Sequence, residues 1–279
     1  RWGRDTFLSL PGLTLYRDIP KPEICKKVLK TMLQDLKGGL LTNIGVGQAA
    51  QYNSADASLW FFWALQEYVE VTSSALKTWQ YFKKEINHIL DKYREGTLYN
   101  IHMKENGLLY GGQEDVALTW MDAVVDGTPV TPRRGYVVEL NALWYHAISF
   151  SLEMAKAAGD KKFINKWESV PFSLKTAFKE MFWDENKGYL ADSCDDKVKD
   201  WSFRPNQIFA TALKYSVCDK EMSKSILERV ECNLLTPKGL RTLSKDDEKY
   251  IGVYYGDQKT RDHSYHQGIV WPWLLGHFA

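Results

Sequence analysis

Helical segments that are apolar on nearly every side alternate along this chain with segments that have one apolar stripe. The first kind, such as residues 54–71 and 138–158, predicts helices buried all round, and the second, such as residues 76–94, predicts helices with one exposed face. An inner ring of helices sheathed by an outer ring satisfies this alternation. The predicted fold class is therefore all-α, a toroid of inner and outer helices. The predicted helices span residues 6–16 (interrupted at Pro11), 22–36, 54–71, 76–94, 138–158, 163–182, 207–215, 220–230 and 265–278.

A small β-hairpin is predicted in residues 98–110, as an insertion between helices. Residues 98–102 and 108–110 have strand composition, and Asn106-Gly107 between them favours a turn. No low-complexity segment or linker interrupts the chain, so we expect residues 1–279 to form a single domain. Because the sequence opens at Arg1 and stops within a helical pattern, we expect it to be a fragment of a longer protein.

Composition argues against several classes of partner. The chain has 36 basic and 35 acidic residues and no basic stripe, so neither nucleic acid nor an anionic membrane surface is expected as a partner. No apolar run reaches the roughly 18 residues of a membrane helix. The four cysteines show neither paired spacing nor a zinc pattern, so no metal is expected. We expect a cytoplasmic protein that binds a neutral ligand.

Four clusters of polar residues each open an aromatic-rich helix. They comprise residues 52–56, 138–141, 204–207 and 265–268 and are here called the rim clusters. If these helices lie side by side, their first turns share one rim that suits a carbohydrate. Core packing remains the alternative for the tryptophans, helix capping for Asn53 and Asp56, and simple packing for His266. The candidate substrate-binding residues on this rim are Asn53, Asp56, Trp60, Trp120, Glu139, Asn141, Arg204, Gln207, His266, Gln267 and Trp271.

Hydrolysis of a glycosidic bond without a metal requires two carboxyl groups. Asp122 directly follows an apolar, aromatic patch, where burial would raise its pKa and keep it protonated as a general acid; an Asp that caps a turn is the alternative. Arg4 and Asp5 could grip two neighbouring hydroxyls of one sugar, or form an ordinary salt bridge. Arg133 is interpreted as part of a solvated loop. The candidate carboxylates are Asp5, Asp56, Glu114, Asp115, Asp122, Asp126, Glu139 and Asp262.

Seven motifs, in order along the whole chain, resemble the glucosidase domain of glycogen debranching enzymes. They are Arg1-Trp2-Gly3-Arg4-Asp5-Thr6-Phe7, Tyr52-Asn53-Ser54-Ala55-Asp56, Thr119-Trp120-Met121-Asp122, Thr131-Pro132-Arg133-Arg134-Gly135, Glu139-Leu140-Asn141, Arg204-Pro205-Asn206-Gln207 and Tyr265-His266-Gln267-Gly268 with Trp271-Pro272-Trp273. The resemblance implies an (α/α)6 barrel, here incomplete at both ends, and inverting release of α-1,6-linked glucose from glycogen, limit dextrin or a branched malto-oligosaccharide, with no cofactor.

The resemblance also implies residue roles. Asp122 matches the proposed general acid, and Arg4 with Asp5 matches the pair that holds the non-reducing glucose. The other rim residues fall at motif positions that line the pocket. The family's catalytic base is a Glu after the Trp271-Pro272-Trp273 segment, so we expect it beyond Ala279.

Two alternatives stay open at the level of sequence. The same toroid could carry another exo-glycosidase, resembling a glucoamylase or a trehalase, because fold does not fix function. A non-catalytic carbohydrate-binding protein is the second alternative.

Overall fold

Helices form most of the regular structure in the computed structural model, which describes residues 1–195 and 198–279. The predicted helices at 54–71, 76–94 and 138–158 are confirmed with ends within about three residues. None of the described helices is long and apolar enough to cross a membrane. The α-helices of the described residues are α1 (Gly3–Thr14), α2 (Pro22–Met32), α3 (Ala57–Thr72), α4 (Ala75–Glu95), α5 (Val138–Ala157), α6 (Lys161–Trp167), α7 (Val170–Phe182), α8 (Ile208–Ala212), α9 (Lys220–Leu234), α10 (Gln258–Ser264) and α11 (Leu275–Phe278).

The most apolar helices contact one another in chain order. Helix α1 packs on α3, α3 on α5, α5 on α8, and α8 on α11. The helices with a single apolar stripe cover them from outside: α2 contacts α1 and α3, α4 contacts α3 and α5, and α9 contacts α8. Trp60, Trp144 and Trp167 are among the largest fully buried side chains. The hydrophobic core therefore runs along the α1–α3–α5–α8 series and extends into the covering helices, where Trp79 of α4 and Trp167 of α6 are buried.

Short antiparallel strands connect the helices, and the sequence predicted only one pair of them. The predicted hairpin is confirmed as a pair with His102 opposite Tyr110, and a turn closed by the Gly107 N–H to the Lys104 carbonyl at 2.9 Å. Its first arm starts later than predicted, because Leu98–Asn100 forms a 3-10 turn. The strands pair as β1 (His102–Met103) with β2 (Leu109–Tyr110), β3 (Val124–Val125) with β4 (Thr128–Pro129), β8 (Ser193–Asp195) with both β5 (Tyr136–Val137) and β9 (Val198–Asp200), β6 (Trp183–Asp184) with β7 (Tyr189–Leu190), and β11 (Gly239–Arg241) with both β10 (Leu235–Thr236) and β12 (Val270–Trp271).

The prediction of one buried helix over residues 265–278 is wrong. Gly268 has φ of 140°, outside the helical range, and Pro272 has no N–H to donate. The backbone between them instead pairs with β11, where Trp271 lies opposite Leu240. A 3-10 turn over Pro272–Leu274 then leads into α11. This irregular segment brings several aromatic side chains to one place.

Five further helices differ from their predicted bounds. Helix α2 ends at Met32, before a 3-10 turn at Leu33–Asp35, and α9 continues to Leu234. Pro11 does not interrupt α1, which runs through it. The helix predicted over residues 163–182 is two helices, and α7 has Pro171 in its first turn, where a missing N–H costs nothing. The helix predicted over residues 207–215 is shorter, because it follows a 3-10 turn at Pro205–Gln207 and ends at Ala212.

Candidate active site

A cavity of about 770 Å³, here called the tryptophan cavity, combines indole rings with charged groups. Its walls come from the first turns of α1, from Trp63 on α3, from the loop before β3 and from the irregular segment after α10. The described residues contribute one arginine and two carboxylates to it. The lining residues are Trp2, Arg4, Asp5, Leu8, Ser9, Trp63, Trp120, Asp122, Tyr265, His266, Trp271, Trp273, Gly276 and His277.

Close backbone contacts bring these walls together. The Gly3 N–H donates to the Asn43 carbonyl at 2.8 Å, and a Cβ at Gly3 would lie 2.0 Å from the Thr42 oxygen. Only glycine therefore allows this approach, which fixes the start of α1 beside the 42–43 segment. The Ala55 N–H donates to the Leu118 carbonyl at 2.8 Å. That bond ties the approach to α3 to the loop that carries Asp122.

Arg4 joins two carboxylates at the cavity wall. Its Nε donates to Asp56 Oδ2 at 2.6 Å and its Nη2 to Asp56 Oδ1 at 3.0 Å. The remaining nitrogen, Nη1, lies 3.5 Å from Asp122 Oδ2. Ser54 Oγ also donates to Asp56 at 2.6 Å. Both carboxylate oxygens of Asp56 therefore bind Arg4, and the Arg4 nitrogen that does not bind Asp56 faces Asp122.

The environment of Asp122 favours its protonated form. Its side chain is 28% exposed and opens to the cavity. Burial raises the pKa of Asp122, the positive charge of Arg4 lowers it, and the negative charge of Asp56 raises it again, with a net increase. A carboxyl in this position can keep a proton closer to neutral pH than a free aspartate does. It can then donate that proton to a leaving oxygen.

The capping alternative for Asp56 does not describe its side chain. Asp56 occupies the position before α3, yet its carboxylate makes no capping hydrogen bond. Ser54 accepts the Ala57 N–H at 3.2 Å in its place. The Asp56 carboxylate thus serves Arg4 rather than the helix end.

A second buried ionic network lies behind the cavity, and the sequence did not predict it. Arg133 donates two hydrogen bonds to the Glu139 carboxylate and two more to the Asp192 carboxylate, the latter at 2.6 and 3.0 Å. Asn206 joins the two regions: its Nδ2 donates to Asp192 Oδ1 at 2.7 Å, and its Oδ1 accepts the Trp120 Nε1–H at 2.7 Å. The interpretation of Arg133 as a solvated loop residue is wrong, because it is buried among these groups.

Six of the predicted site residues line the tryptophan cavity, namely Arg4, Asp5, Trp120, Asp122, His266 and Trp271. Two more shape its wall from behind, because Arg204 donates to Gln267 Oε1 at 2.9 Å and to the His266 carbonyl at 2.7 Å. Trp60 is buried one layer deeper, with its ring 5.7 Å from that of Trp63 and 6.4 Å from that of Trp273. Residues 265–273 therefore include both residues that line the cavity and Gln267, which supports the lining from behind.

Of the eight predicted residues outside the cavity lining, four more hold other parts of the fold. Asn141 accepts the Leu109 N–H at 2.7 Å and donates to the Leu109 carbonyl at 3.0 Å, so it holds the hairpin on α5. Gln207 accepts the Leu190 N–H at 3.2 Å. Asn53 accepts a bond from Asn43 at 3.3 Å. Glu139 is bound to Arg133 in the buried ionic network.

His266 is a neutral packing residue of the cavity wall. Burial, then Arg204 and Arg4, lower its pKa to about 3. Its ring stacks on Trp271 at 5.9 Å and meets Trp120 edge-on at 5.3 Å. These surroundings agree with the packing alternative for His266, and because its edge also reaches the cavity, its predicted role in substrate binding stays a prediction.

Several lining residues were not among the predicted site residues. Leu8 and Ser9 follow Arg4 and Asp5 by four residues, so the 3.6-residue helix period could have indicated them. Trp63 follows Trp60 by one turn and could have been found in the same way. His277 had no such signal, because its placement depends on the irregular backbone after Gly268. The exposed candidates Glu114 and Asp126 pair instead with Arg134 and Lys259.

A larger cavity of about 870 Å³, here called the hairpin cavity, lies beside β1 and β2. Among its described lining residues Glu180 is the single carboxylate, together with Asn100, His102, Lys104 and Tyr136. It is thus less suited to chemistry that needs two carboxyl groups. In the described part of the chain, no group of three or more His, Cys, Asp or Glu is arranged to hold a metal ion.

Comparison with known proteins identifies the family. The family model described as amylo-alpha-1,6-glucosidase matches residues 1–279, the whole chain. The chain belongs to this family. It is 24% identical to the glycogen debranching enzyme of Saccharomyces cerevisiae over 370 aligned positions, which cover 99% of this chain and 24% of the yeast protein. A putative periplasmic trehalase of Escherichia coli O157:H7 is 26% identical over 133 positions, which cover 47% of this chain and 23% of that protein. The chain thus spans about a quarter of the length of these relatives.

Solved structures show a related fold. A GH78 family rhamnosidase of Bacillus sp. GL1 has a TM-score of 0.59 and 19% identity, and covers 82% of this chain and 22% of its own. A rhamnosidase from Klebsiella oxytoca with rhamnose bound has a TM-score of 0.58 and 13% identity, and covers 84% of this chain and 42% of its own. At these identities the likeness concerns the fold alone.

Proposed function

We propose that the protein is an inverting, exo-acting α-1,6-glucosidase that releases glucose from branch points of glycogen, limit dextrin or branched malto-oligosaccharides. One observation carries the proposal: Asp122, with its raised pKa, opens into an aromatic cavity and faces Arg4 at 3.5 Å. The family membership and the yeast relative support the choice of linkage and substrate.

In this proposal Asp122 protonates the glycosidic oxygen as the bond to the sugar breaks. Arg4 holds Asp122 in place through its Nη1, because its other two donor positions are fixed on Asp56. Asp5 is exposed at the same wall and can accept hydrogen bonds from sugar hydroxyls. Trp120 and Trp271 offer flat rings against which the apolar face of a sugar can pack.

Inversion requires a second carboxylate that activates water, and inverting enzymes hold the two carboxyl groups about 6.5–9.5 Å apart to admit that water. Following the resemblance, we assign this base to a Glu that comes after Ala279. We also propose that α1, α3, α5, α8 and α11 are inner helices of an (α/α)6 barrel, that residues 1–279 belong to one domain of it, and that the protein acts in the cytoplasm. The chain order of the contacts between these helices supports the barrel.

The experiment replaces Asp122 with Asn in the full-length protein and measures glucose release from limit dextrin. We expect a loss of about a hundredfold or more, the scale of general acid catalysis. The matched control is Asp126→Asn, a nearby exposed aspartate that pairs with Lys259. A near-normal rate in Asp122→Asn would remove Asp122 from this role. Release of glucose as the β-anomer, detected by NMR, would support inversion.

A trehalase-like activity is the second candidate, because trehalases match nearly half of this chain. The two candidates differ in the linkage that the full-length protein cleaves. Glucose release is therefore compared on branched dextrin, linear malto-oligosaccharide and trehalose. Preference for trehalose would mean that trehalose, and not a branched glucan, is the substrate. The proposed location of the site would stay the same.

A further inference from the structure

An exposed loop at residues 250–256, here called the tyrosine loop, carries side chains that normally avoid water. Tyr255 is 79% exposed, Val253 70% and Tyr254 50%. The loop has no charged residue along the sequence Tyr-Ile-Gly-Val-Tyr-Tyr-Gly. Clustered exposed apolar residues on one short loop indicate a surface that another molecule covers.

Both ends of the tyrosine loop are held, so its tip is presented in a defined place. The Ile251 N–H donates to the Gln267 carbonyl at 2.6 Å. At the other end Arg261 Nη1 donates to the Gly256 carbonyl at 2.6 Å. A Cβ at Gly268 would lie 2.6 Å from the Tyr250 ring. Glycine at this position therefore allows the tyrosine loop to pack closely against the irregular segment after α10, which forms part of the cavity wall.

The tyrosine loop continues directly from the tryptophan cavity. The Tyr254 ring lies 5.8 Å from that of Tyr265, and the Tyr265 ring lies 5.1 Å from that of Trp271; Tyr265 and Trp271 both line the cavity. Burial raises the pKa of Tyr265, and so do the nearby Tyr254 and Asp122. Tyr265 therefore stands between the exposed loop and the proposed acid.

We propose that Tyr254 and Tyr255 form a platform that binds the glucan chain on the leaving-group side of the scissile bond. The inference rests on the proposed function and adds the position of the outer subsite. A glucan is the occupant because the loop itself has no charged residue, is aromatic and is continuous with the tryptophan cavity; the nearby Arg261 guanidinium, 5.8 Å from the Tyr254 ring, can donate hydrogen bonds to sugar hydroxyls. Each flat phenol ring can pack on the apolar face of one glucose unit, and the hydroxyl can bond to its neighbours.

The test compares two substrates that share the glucosyl unit but differ in the leaving group attached to it. Limit dextrin has a long chain beyond the scissile bond, whereas α-D-glucosyl fluoride has a single atom there. We expect Tyr254→Ala and Tyr255→Ala in the full-length protein to lower kcat/KM for limit dextrin about tenfold more than kcat/KM for the fluoride, the scale for truncating an anchoring tyrosine. Contacts to the leaving chain, far from the reacting atoms, can raise kcat/KM only for a substrate that has this chain.

Two matched controls sharpen the comparison. Tyr255→Phe keeps the ring, so most of the dextrin activity should remain. Phe172→Ala removes a ring that is 82% exposed on α7 and is absent from the lining of the tryptophan cavity, so neither substrate should be affected. The affinity of Asp122→Asn for limit dextrin, with and without Tyr255→Ala, gives a readout that does not depend on turnover.

Each result decides for or against the platform. A selective loss on limit dextrin, together with weaker dextrin binding, supports it. Equal losses on both substrates, or no loss on either, overturn it. If the unmodified protein hydrolyses neither substrate, the proposed function fails, and this result is separate from any effect of the tyrosines.

Discussion

Replacing Asp56 with Asn tests how Arg4 couples the wall of the cavity to Asp122, the proposed acid. The substitution keeps the shape of the side chain but removes the charge that holds Arg4 through two hydrogen bonds. Arg4 is buried, so it would be left with Asp122 alone as a charged partner within contact. We expect the free energy of unfolding to fall and the pH dependence of the reaction to change.

The size of the effect follows from the geometry. Unit charges 3.0 Å apart, the distance between Arg4 Nη2 and Asp56 Oδ1, attract by about 5.5 kcal/mol at an effective dielectric constant of about 20. Desolvation of the ions offsets much of such attraction, and breaking a buried pair by removing one partner costs about 3–5 kcal/mol. Because Asn can still accept one bond from Arg4, we expect about 3 kcal/mol, a large part of a typical stability of about 5–15 kcal/mol.

The direction of the pH effect is fixed by charge. Asp56 helps to raise the pKa of Asp122, so its removal lowers that pKa. A general acid works only while protonated, so activity falls as pH rises through its pKa. The falling limb of the pH profile should therefore move to lower pH in Asp56→Asn, and the rate at neutral pH should drop.

Chemical denaturation and the pH profile of kcat/KM on limit dextrin measure both effects in the full-length protein. Arg134→Met is the control, because Arg134 pairs with Asp195 in an exposed position, where we expect no measurable change in stability. A double-mutant cycle with Arg4→Met isolates the coupling between Arg4 and Asp56. Unchanged stability together with an unmoved pH profile would refute the reasoning.

Two further predictions concern the supports behind the cavity. Arg133→Met leaves the buried Glu139 and Asp192 without their shared cation, so we expect a loss of about 3–5 kcal/mol that becomes smaller at low pH, because burial raises the pKa of Glu139 and favours its protonated form; denaturation at pH 5 and pH 8 checks this, and equal losses would contradict it. Asn141→Ala removes both hydrogen bonds to Leu109 and leaves buried backbone groups unpaired, so we expect a loss of about 1–3 kcal/mol and faster amide exchange in the hairpin; exchange unchanged from the unmodified protein would contradict it.

The buried helices were the most predictable part of the fold. Residues 54–71 and 138–158 are apolar on almost every face, and a helix inside a protein is the simplest structure that uses such a run. The other strands were missed because strands of two or three residues leave no periodic signal, and only the hairpin has an Asn-Gly turn to indicate it. Strand β12 forms because Trp271 meets Leu240, a contact between residues far apart in the sequence.

The proposed acid was easier to predict from the sequence than its surroundings were. The apolar patch before Asp122 predicted a raised pKa, and the structure gives the same direction. The buried partners of Asp56 and Arg133 could not be predicted, because residues 52 and 59 positions away along the chain supply them. Ionic pairing in three dimensions explains why polar residues of the rim clusters, such as Glu139, lie behind the cavity.

The most direct test of a sugar site at Asp122 is a crystal structure of the full-length protein with 1-deoxynojirimycin, a cationic glucose mimic. We expect the compound in the tryptophan cavity, with its ring against Trp120 or Trp271 and a carboxylate of Asp5 or Asp122 within hydrogen-bonding distance. Binding in the hairpin cavity, with the tryptophan cavity empty, would contradict the account.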